Sequence, residues 1–598
     1  MTTEPLPLAR PNIHGTFGAC ASTHWIASAV GLGVLERGGN AFDAATAAAF
    51  VLHVVEPHLN GPGGDLVAIV APAGGEPIVL CGQGPAPAGA TISHYAREGL
   101  AAVPGSGALA AAVPGAVDGW LLLLRDYGTW ELGDILEYAI HYAESGHPVL
   151  GRVVDVIAAV RELFVDHWRT SADLWLQHSA PPRTGELFTN LAYARTLRRL
   201  RDEAILAAGR RADRRAVIDA ARRTWATGFV AQSIHRFVAD TPHLHSTGGV
   251  HRGVLDSADL ARYQAHFEAA VSAEFRGHRI MKAGAWSQGP VLLQTLAILD
   301  AYSDAELDVD TANGVHLAVE ALKLAFADRD AYYGDGLKPD VLDTLLSPAY
   351  SATRRQLIGE HASVAVRPGH VPGLRAPFTA VLERADGPTS EAAGEPTVRP
   401  TGEVRGDTCH VDVIDRWGNA ISATPSGGWL QSSPTIPELG FCLGTRLQMT
   451  HLDAASPSAL RPGMRPRTTL SPTIVTTADT ITALGTPGGD QQDQWQLLYL
   501  LRTLTAGFGA QQAIEAPAFH TTSFPGSFWP RTWEPGGLVI ENRVMPELLA
   551  DLDGRGHRIT RSGAWSLGRL SSVRLDRSTG LITAAANPRG AQGYAVGR

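Results

Sequence analysis

The chain has 598 residues, 44% of them hydrophobic and 18% charged, which is the composition of a globular protein rather than a disordered or fibrous one. Its formal charge of −9 is spread along the whole length, so no basic face is implied and nucleic acid is not an expected partner. Four cysteines without CxxC spacing make neither a disulfide framework nor a zinc or redox pair, and no apolar run reaches the roughly 18 residues of a membrane span. At roughly 150 residues per domain the length allows about four domains, or one large core. The opening MTTEPLPLARPNIHG has no apolar centre, so no signal peptide, no membrane and a cytoplasmic address are expected. The 64 glycines and 38 prolines point to many tight turns.

In chain order, residues 25–38 carry apolar residues at helical spacing and stop at Gly38-Gly39. Asn40 can cap a second helix that ends at Glu56-Pro57. A bending loop, His58 to Gly64, leads into the strand-like LVAIVA. Residues 116–145 and 150–240 read as mostly helical, and 312–332 reads as an amphipathic helix with Glu320 and Lys323 one turn apart. His53, Glu56 and His58 are read as structural rather than metal-binding, and His243, His245 and His251 as a solvated loop. Residues 371–407, rich in Pro, Gly, Glu and Thr, read as a mobile linker.

The chemistry gathers after that linker. Thr408 to Asp415 alternates as a strand, Arg416 to Asn419 turns, and Ala420 to Thr424 returns as a second strand. Thr is an ordinary way to open a strand. It is also a nucleophile if the bond between Asp407 and Thr408 is cut, because the freed α-amino group, with a pKa of about 7.7–8.0, can serve as base for the hydroxyl of its own residue. A strand neighbour points to the opposite face, so Cys409 is expected to be packed away from Thr408. Gly488 and Gly489 follow the strand TITAL and can aim backbone N–H groups at one spot, as an oxyanion hole requires; an ordinary turn is the other reading. Thr468 and Thr469 supply clustered hydroxyls before a further strand at 473–477. Trp429 can line a pocket or belong to the core. The last strand signal spans 571–585.

Taken as an ordered set, these motifs resemble the γ-glutamyltranspeptidase family of N-terminal nucleophile hydrolases, from about residue 17 to about residue 590. The resemblance rests on Ala21-Ser22-Thr23-His24, Arg37 to Ala45, Val55-Glu56-Pro57-His58, Gly61-Pro62-Gly63-Gly64, Val113-Pro114-Gly115, Glu320-Ala321 through Asp328-Arg329, Gly406-Asp407-Thr408, Arg461 to Pro466, Leu470-Ser471-Pro472-Thr473 and Pro487-Gly488-Gly489. It implies an α+β fold, a four-layer αββα sandwich. It also implies a precursor that cuts itself into a large subunit (1–407) and a small one (408–598), which stay together as a heterodimer acting on a small molecule without a cofactor or metal. By the same resemblance Thr408 is the nucleophile, Ser426 stands where a second hydroxyl bonds to it, and Gly488 and Gly489 are the oxyanion glycines. Thr424, Gln448, Thr468 and Thr469 fall among the substrate contacts.

Three substrate positions depart from the family pattern. Gln83 stands where an arginine grips the glutamyl α-carboxylate, Gly428 where an asparagine is expected, and His451 where an aspartate pairs with the α-ammonium; Asp453 lies nearby. The resemblance therefore implies an acyl hydrolase with weak or no activity on glutathione. Three alternatives stand beside it: a C–C bond hydrolase of a 4-alkyl-L-proline antibiotic-precursor pathway, a true glutathione hydrolase or transpeptidase, and an inactive scaffold.

Overall fold

A computed structural model describes residues 8–209, 211–374, 377–379 and 408–598. Asp407 and most of the segment expected to be a linker lie outside the described residues. Two seven-stranded antiparallel sheets form the middle of the molecule. The first runs Tyr594–Gly597, Gly18–Ser22, Val411–Asp415, Ala420–Ser426, Asp65–Ala71, Ile78–Gly82, His266–Ala269. The second runs Ile13–Gly15, Leu581–Ala586, Ser571–Asp576, Thr480–Gly485, Thr473–Thr476, His278–Lys282, Val271–Phe275. The expected strand at 571–585 is thus a hairpin of two strands, turned at residues 577–580.

Period-2 alternation sorts the side chains into layers. In Asp65–Ala71, Leu66, Ala68 and Val70 join one core with the helices Trp25–Glu36, Ala41–Val55 and Ala116–Tyr127, while Val67, Ile69 and Ala71 join a second core between the sheets. The outer face of the other sheet packs on the helices Pro290–Leu299, Ala312–Tyr332 and Gln492–Leu504. Helix, sheet, sheet and helix make four layers, the αββα sandwich. Each sheet takes strands from both sides of residue 408, so neither segment holds a complete core of its own.

Local chemistry explains the long helices. Asn40 closes a capping box: its Oδ1 accepts from the Phe42 and Asp43 amides, and Asp43 Oδ2 accepts from the Asn40 amide at 2.9 Å. Helix Ala312–Tyr332, expected to be amphipathic, is instead buried on nearly every face. Its charges survive burial because they are paired: Glu320 contacts Lys323 and Arg367, and Asp328 takes Arg354 at 3.2 Å. No helix among the described residues is long and apolar enough to cross a membrane.

Candidate active site

Strands Val411–Asp415 and Ala420–Ser426 form a hairpin, and an isolated antiparallel bridge between Thr408 and Ser426 extends its register. Alternation puts Thr408, His410 and Asp412 on one face, opposite Ser426, Thr424 and Ser422, and that face looks into the gap between the two sheets. A row of polar groups therefore crosses an otherwise apolar layer. The Thr408 hydroxyl donates to Ser426 Oγ at 3.2 Å. His410 Nδ1 meets Thr424 Oγ1 at 2.9 Å, His410 Nε2 meets Asp412 Oδ1 at 2.8 Å, and the Ser571 hydroxyl donates to Asp412 Oδ2 at 2.8 Å. All of these residues are buried.

Cys409 points the other way, as the alternation requires. Its thiol donates to Glu56 Oε2 at 3.0 Å and accepts from Asn60 Nδ2 at 3.1 Å. Burial, and then the Glu56 charge, hold the thiol well above its usual range, so it stays protonated. Glu56, whose own carboxyl is pushed up by burial, also accepts from the Thr23 hydroxyl and Gln592. This hub ties the segment that carries Thr408 to Thr23 and Gln592.

The end of strand Thr480–Gly485 meets the same spot, since Gly485 lies against the His410 ring. Gly488 and Gly489 follow, with φ of +123° and +55°, which glycine adopts without strain. The Gly488 backbone lies on the Trp495 ring so closely that a Cβ would sit 2.4 Å from Trp495 Cζ3. A short 3-10 turn and helix Gln492–Leu504 begin directly afterwards, so the loop opens a helix N-terminus, a favourable place for developing negative charge.

The expected substrate positions are already engaged in several ways. Gln83 is buried with its Oε1 unpartnered among the described residues, beside a cavity of about 10 Å³ shared with Gly63, Asp65, Gly427 and Arg446. Arg446 forks onto Asp65 at 2.5 and 2.8 Å, so the nearest opposite charges satisfy each other. Gly428, with φ of +67°, lies where a Cβ would meet the Gly64 amide at 2.8 Å. Gln448 is committed to Gly105, Thr445 and the Trp529 amide. His451 Nδ1 accepts from Arg531 at 2.7 Å; burial and then the Arg531 charge pull the imidazole down to about 2, so it is neutral. Asp453 Oδ1 accepts from the Ala455 amide in its own turn. Thr468 bridges to Ser287, while Thr469 is buried and its hydroxyl has no partner among the described residues. Trp429 is buried with Met449 and Phe528 and donates to Leu59 O at 2.8 Å.

The γ-glutamyltranspeptidase family profile matches residues 27–597. The chain belongs to that family. It is 30% identical to the glutathione hydrolase-like YwrD proenzyme of Bacillus subtilis, an alignment covering 98% of this chain and 99% of that one. It is 51% identical to the solved structure of LmbA2991HD, with a TM-score of 0.93, covering 99% of this chain and 100% of that one. The cephalosporin acylase of Bacillus halodurans is 26% identical with a TM-score of 0.81, covering 100% and 98% of the two chains. The protein is therefore a family hydrolase with acylase relatives.

Sequence reasoning missed His410 and Asp412, although their period-2 spacing from Thr408 was legible. It missed Trp495, Asp65 and Arg446, which come to the site only through the fold. The His243–His251 stretch is not a solvated loop: His243 and His245 are buried, strand His243–Leu244 pairs with Val250–His251, and the His245 and His251 rings stack at 4.6 Å. Two groups could be mistaken for metal centres, Cys81–His266–Glu268 and His316–Glu320–His557. Arg465 sits on the first, and Lys323 and Arg367 on the second, so cations already fill the place of a metal.

Proposed function

We propose that this protein is an N-terminal threonine hydrolase that acts on acyl donors lacking the glutamyl zwitterion. The observation that carries this reading is the Thr408 hydroxyl, buried at the head of the hairpin, 3.2 Å from Ser426 and on the same face as His410, whose ring packs against Gly485. In the precursor, Thr408 Oγ1 attacks the Asp407 carbonyl carbon. The hydroxyl proton passes to the departing amide nitrogen, which leaves an ester and a free Thr408 amine, and water then opens the ester to give the Asp407 carboxylate and the Thr408 hydroxyl. The pieces 1–407 and 408–598 stay together because each sheet needs strands from both.

In turnover the Thr408 amine takes the hydroxyl proton and Oγ1 attacks the substrate carbonyl carbon. The Gly488 and Gly489 N–H groups hold the oxyanion, the leaving group departs with the proton, and water releases the acyl group. Gln83 offers a carboxylate a neutral hydrogen bond at best, and a neutral His451 offers an ammonium no charge. Losing one partner of a buried charge pair costs about 2–5 kcal/mol, so two such losses are worth about 10³-fold or more. An oxalyl or dicarboxylate-type acyl group suits the site better.

A second reading goes with the higher similarity to LmbA2991HD, 51% identical, than to the glutathione hydrolase-like protein, 30% identical. It is hydrolysis of a C–C bond beside the attacked carbonyl, as in a 4-alkyl-L-proline precursor, with carbon as the protonated leaving group.

The test is a denaturing gel with N-terminal sequencing, then a donor panel on processed enzyme. The reading expects two bands, a new terminus at Thr408, a single band for Thr408→Ala, and turnover of non-amino acyl donors in preference to γ-glutamyl-p-nitroanilide. A terminus elsewhere in active protein, or glutamyl turnover at ordinary transpeptidase rates, would defeat it.

A further inference from the structure

Beside the glycine loop, three arginines and two aspartates converge. Arg329 pairs with Asp490 Oδ1 at 2.5 Å and with Asp330 Oδ1 at 2.9 Å, and Asp330 Oδ2 is buried without a hydrogen-bond partner among the described residues. Asp490, the residue after Gly489, also accepts the Ser527 hydroxyl at 2.6 Å and the Ser527 amide at 2.7 Å. Arg531 spends its guanidinium on His451 and on the Gln448 and Thr450 carbonyls.

Arg467 is left over. Its side chain is only 5% exposed. Nη2 donates to Ser527 Oγ at 3.0 Å and lies 3.8 Å from Asp330 Oδ1, an oxygen already taken by Arg329. Nη1 is buried and has no partner among the described residues, and neither has the hydroxyl of Thr469 two residues on. Three cations against two carboxylates leave one positive charge in excess. Burial, and then repulsion from Arg329, pull the Arg467 guanidinium down to about 9, in keeping with a cation that lacks its anion. A buried donor without a partner is costly, and proteins seldom leave one unless something fills the place. Two hydrogen bonds, Arg467 to Ser527 and Ser527 to Asp490, tie this open donor to the residue that follows the glycine pair.

We infer that Arg467 is a specificity-determining residue that binds a carboxylate on the acyl side of the substrate. The inference rests on the reading of Thr408 as nucleophile and narrows its donor to an anionic acyl group, gripped from the small-subunit side rather than from position 83. Arg467 reads the charge through Nη1, while Ser527 and Asp490 hold the guanidinium in place. Arg329 and Arg531, saturated by their own partners, set the surrounding positive field.

The experiment uses processed full-length protein and two probe pairs matched in shape: oxalate against oxamide, and glutarate against glutaramide. Calorimetric titration and thermal shift should show the two dianions binding and the neutral amides not binding. Arg467→Gln should weaken dianion binding about 30-fold or more, Arg467→Lys should recover part of it, and both variants should still self-cleave. In turnover, Arg467→Gln should raise KM for an anionic acyl donor far more than for a neutral one. Equal binding of dianion and amide by the wild-type protein would overturn the inference even if the variants fail to fold, and would mean that only water faces Nη1. Undiminished dianion binding in Arg467→Gln would also overturn it. Good turnover of neutral acyl donors alone would sink this inference and spare the wider reading, whereas absence of a Thr408 terminus would sink the wider reading itself.

Discussion

The imidazole of His410 fills the space that a side chain at position 485 would need: a Cβ on Gly485 would lie 2.2 Å from His410 Cε1, with all three nearest contacts on that ring. The two sheets are thereby locked together two residues from Thr408. His410 cannot swing aside freely, because Thr424 and Asp412 hold both ring nitrogens and Ser571 holds Asp412. Gly485→Ala should therefore force the ring or the strand to move, at a cost of about 1–3 kcal/mol for an overpacked core. We expect a lower Tm together with slow or absent self-cleavage, read as persistence of the single precursor band. Normal processing at an unchanged Tm would show that the ladder does not position Thr408.

The hairpin that carries Thr408 was legible in the sequence because alternation and the Trp417-Gly418-Asn419 turn are local signals. The two-sheet arrangement came from family resemblance, since Val411–Asp415 pairs with Gly18–Ser22, far away in the sequence, and leaves no local trace. Helix Ala312–Tyr332 was placed correctly but its burial was not: the charges that suggested a wet face belong to buried pairs whose partners, Arg354 and Arg367, come from outside the helix. The histidines at 243 and 245 failed for the same reason, because polar residues in a Gly-rich stretch look solvated until the packing is known. Arg467, between Pro466 and Thr468, carries no local signal that sets it apart from other arginines. Only the three-dimensional count of its partners marks it out.

The Gly488 backbone rests on the indole of Trp495, and its φ of +123° excludes ordinary side chains. Gly488→Ala adds a Cβ 2.4 Å from that ring and about 1–3 kcal/mol of backbone strain. The loop must shift, and the N–H groups proposed as oxyanion donors shift with it. We expect kcat to fall by about 10²–10³ with little change in KM, measured on whichever acyl donor the panel identifies. An unchanged kcat would remove these glycines from the oxyanion hole.

Restoring an arginine at position 83 should not restore glutamyl activity. The space beside Gln83 is about 10 Å³, room for one water at most. Arg446 already lines it with its guanidinium locked on Asp65. A second guanidinium would compete for that one carboxylate and overfill the cavity, while His451 would still leave the substrate ammonium unpaired. Gln83→Arg is expected to lower the Tm and to give no rise in γ-glutamyl-p-nitroanilide hydrolysis. A clear rise would place the family's carboxylate grip at position 83 after all.

Stability should fall on mild acidification, and the direction follows from the buried histidines. Burial pulls His24, His53 and His557 down to about 3 from an ordinary 6.5. Below pH 6.5 the unfolded chain gains a proton at each of these positions while the folded chain does not, so each contributes stability that is full above about 6.5 and declines steadily down to about 3. Burial raises Asp328 and Asp493 and opposes this, but Arg354 at 3.2 Å and Lys282 at 3.0 Å favour their charged forms and limit the effect. The Tm of the processed protein should therefore drop continuously from pH 7 to pH 5. Among single variants His53→Phe, whose Nε2 is buried without a partner, should flatten the slope while leaving the Tm at pH 7.5 close to that of the parent. A Tm independent of pH across that range would mean that these imidazoles are protonated in the folded protein, with anionic partners yet to be found.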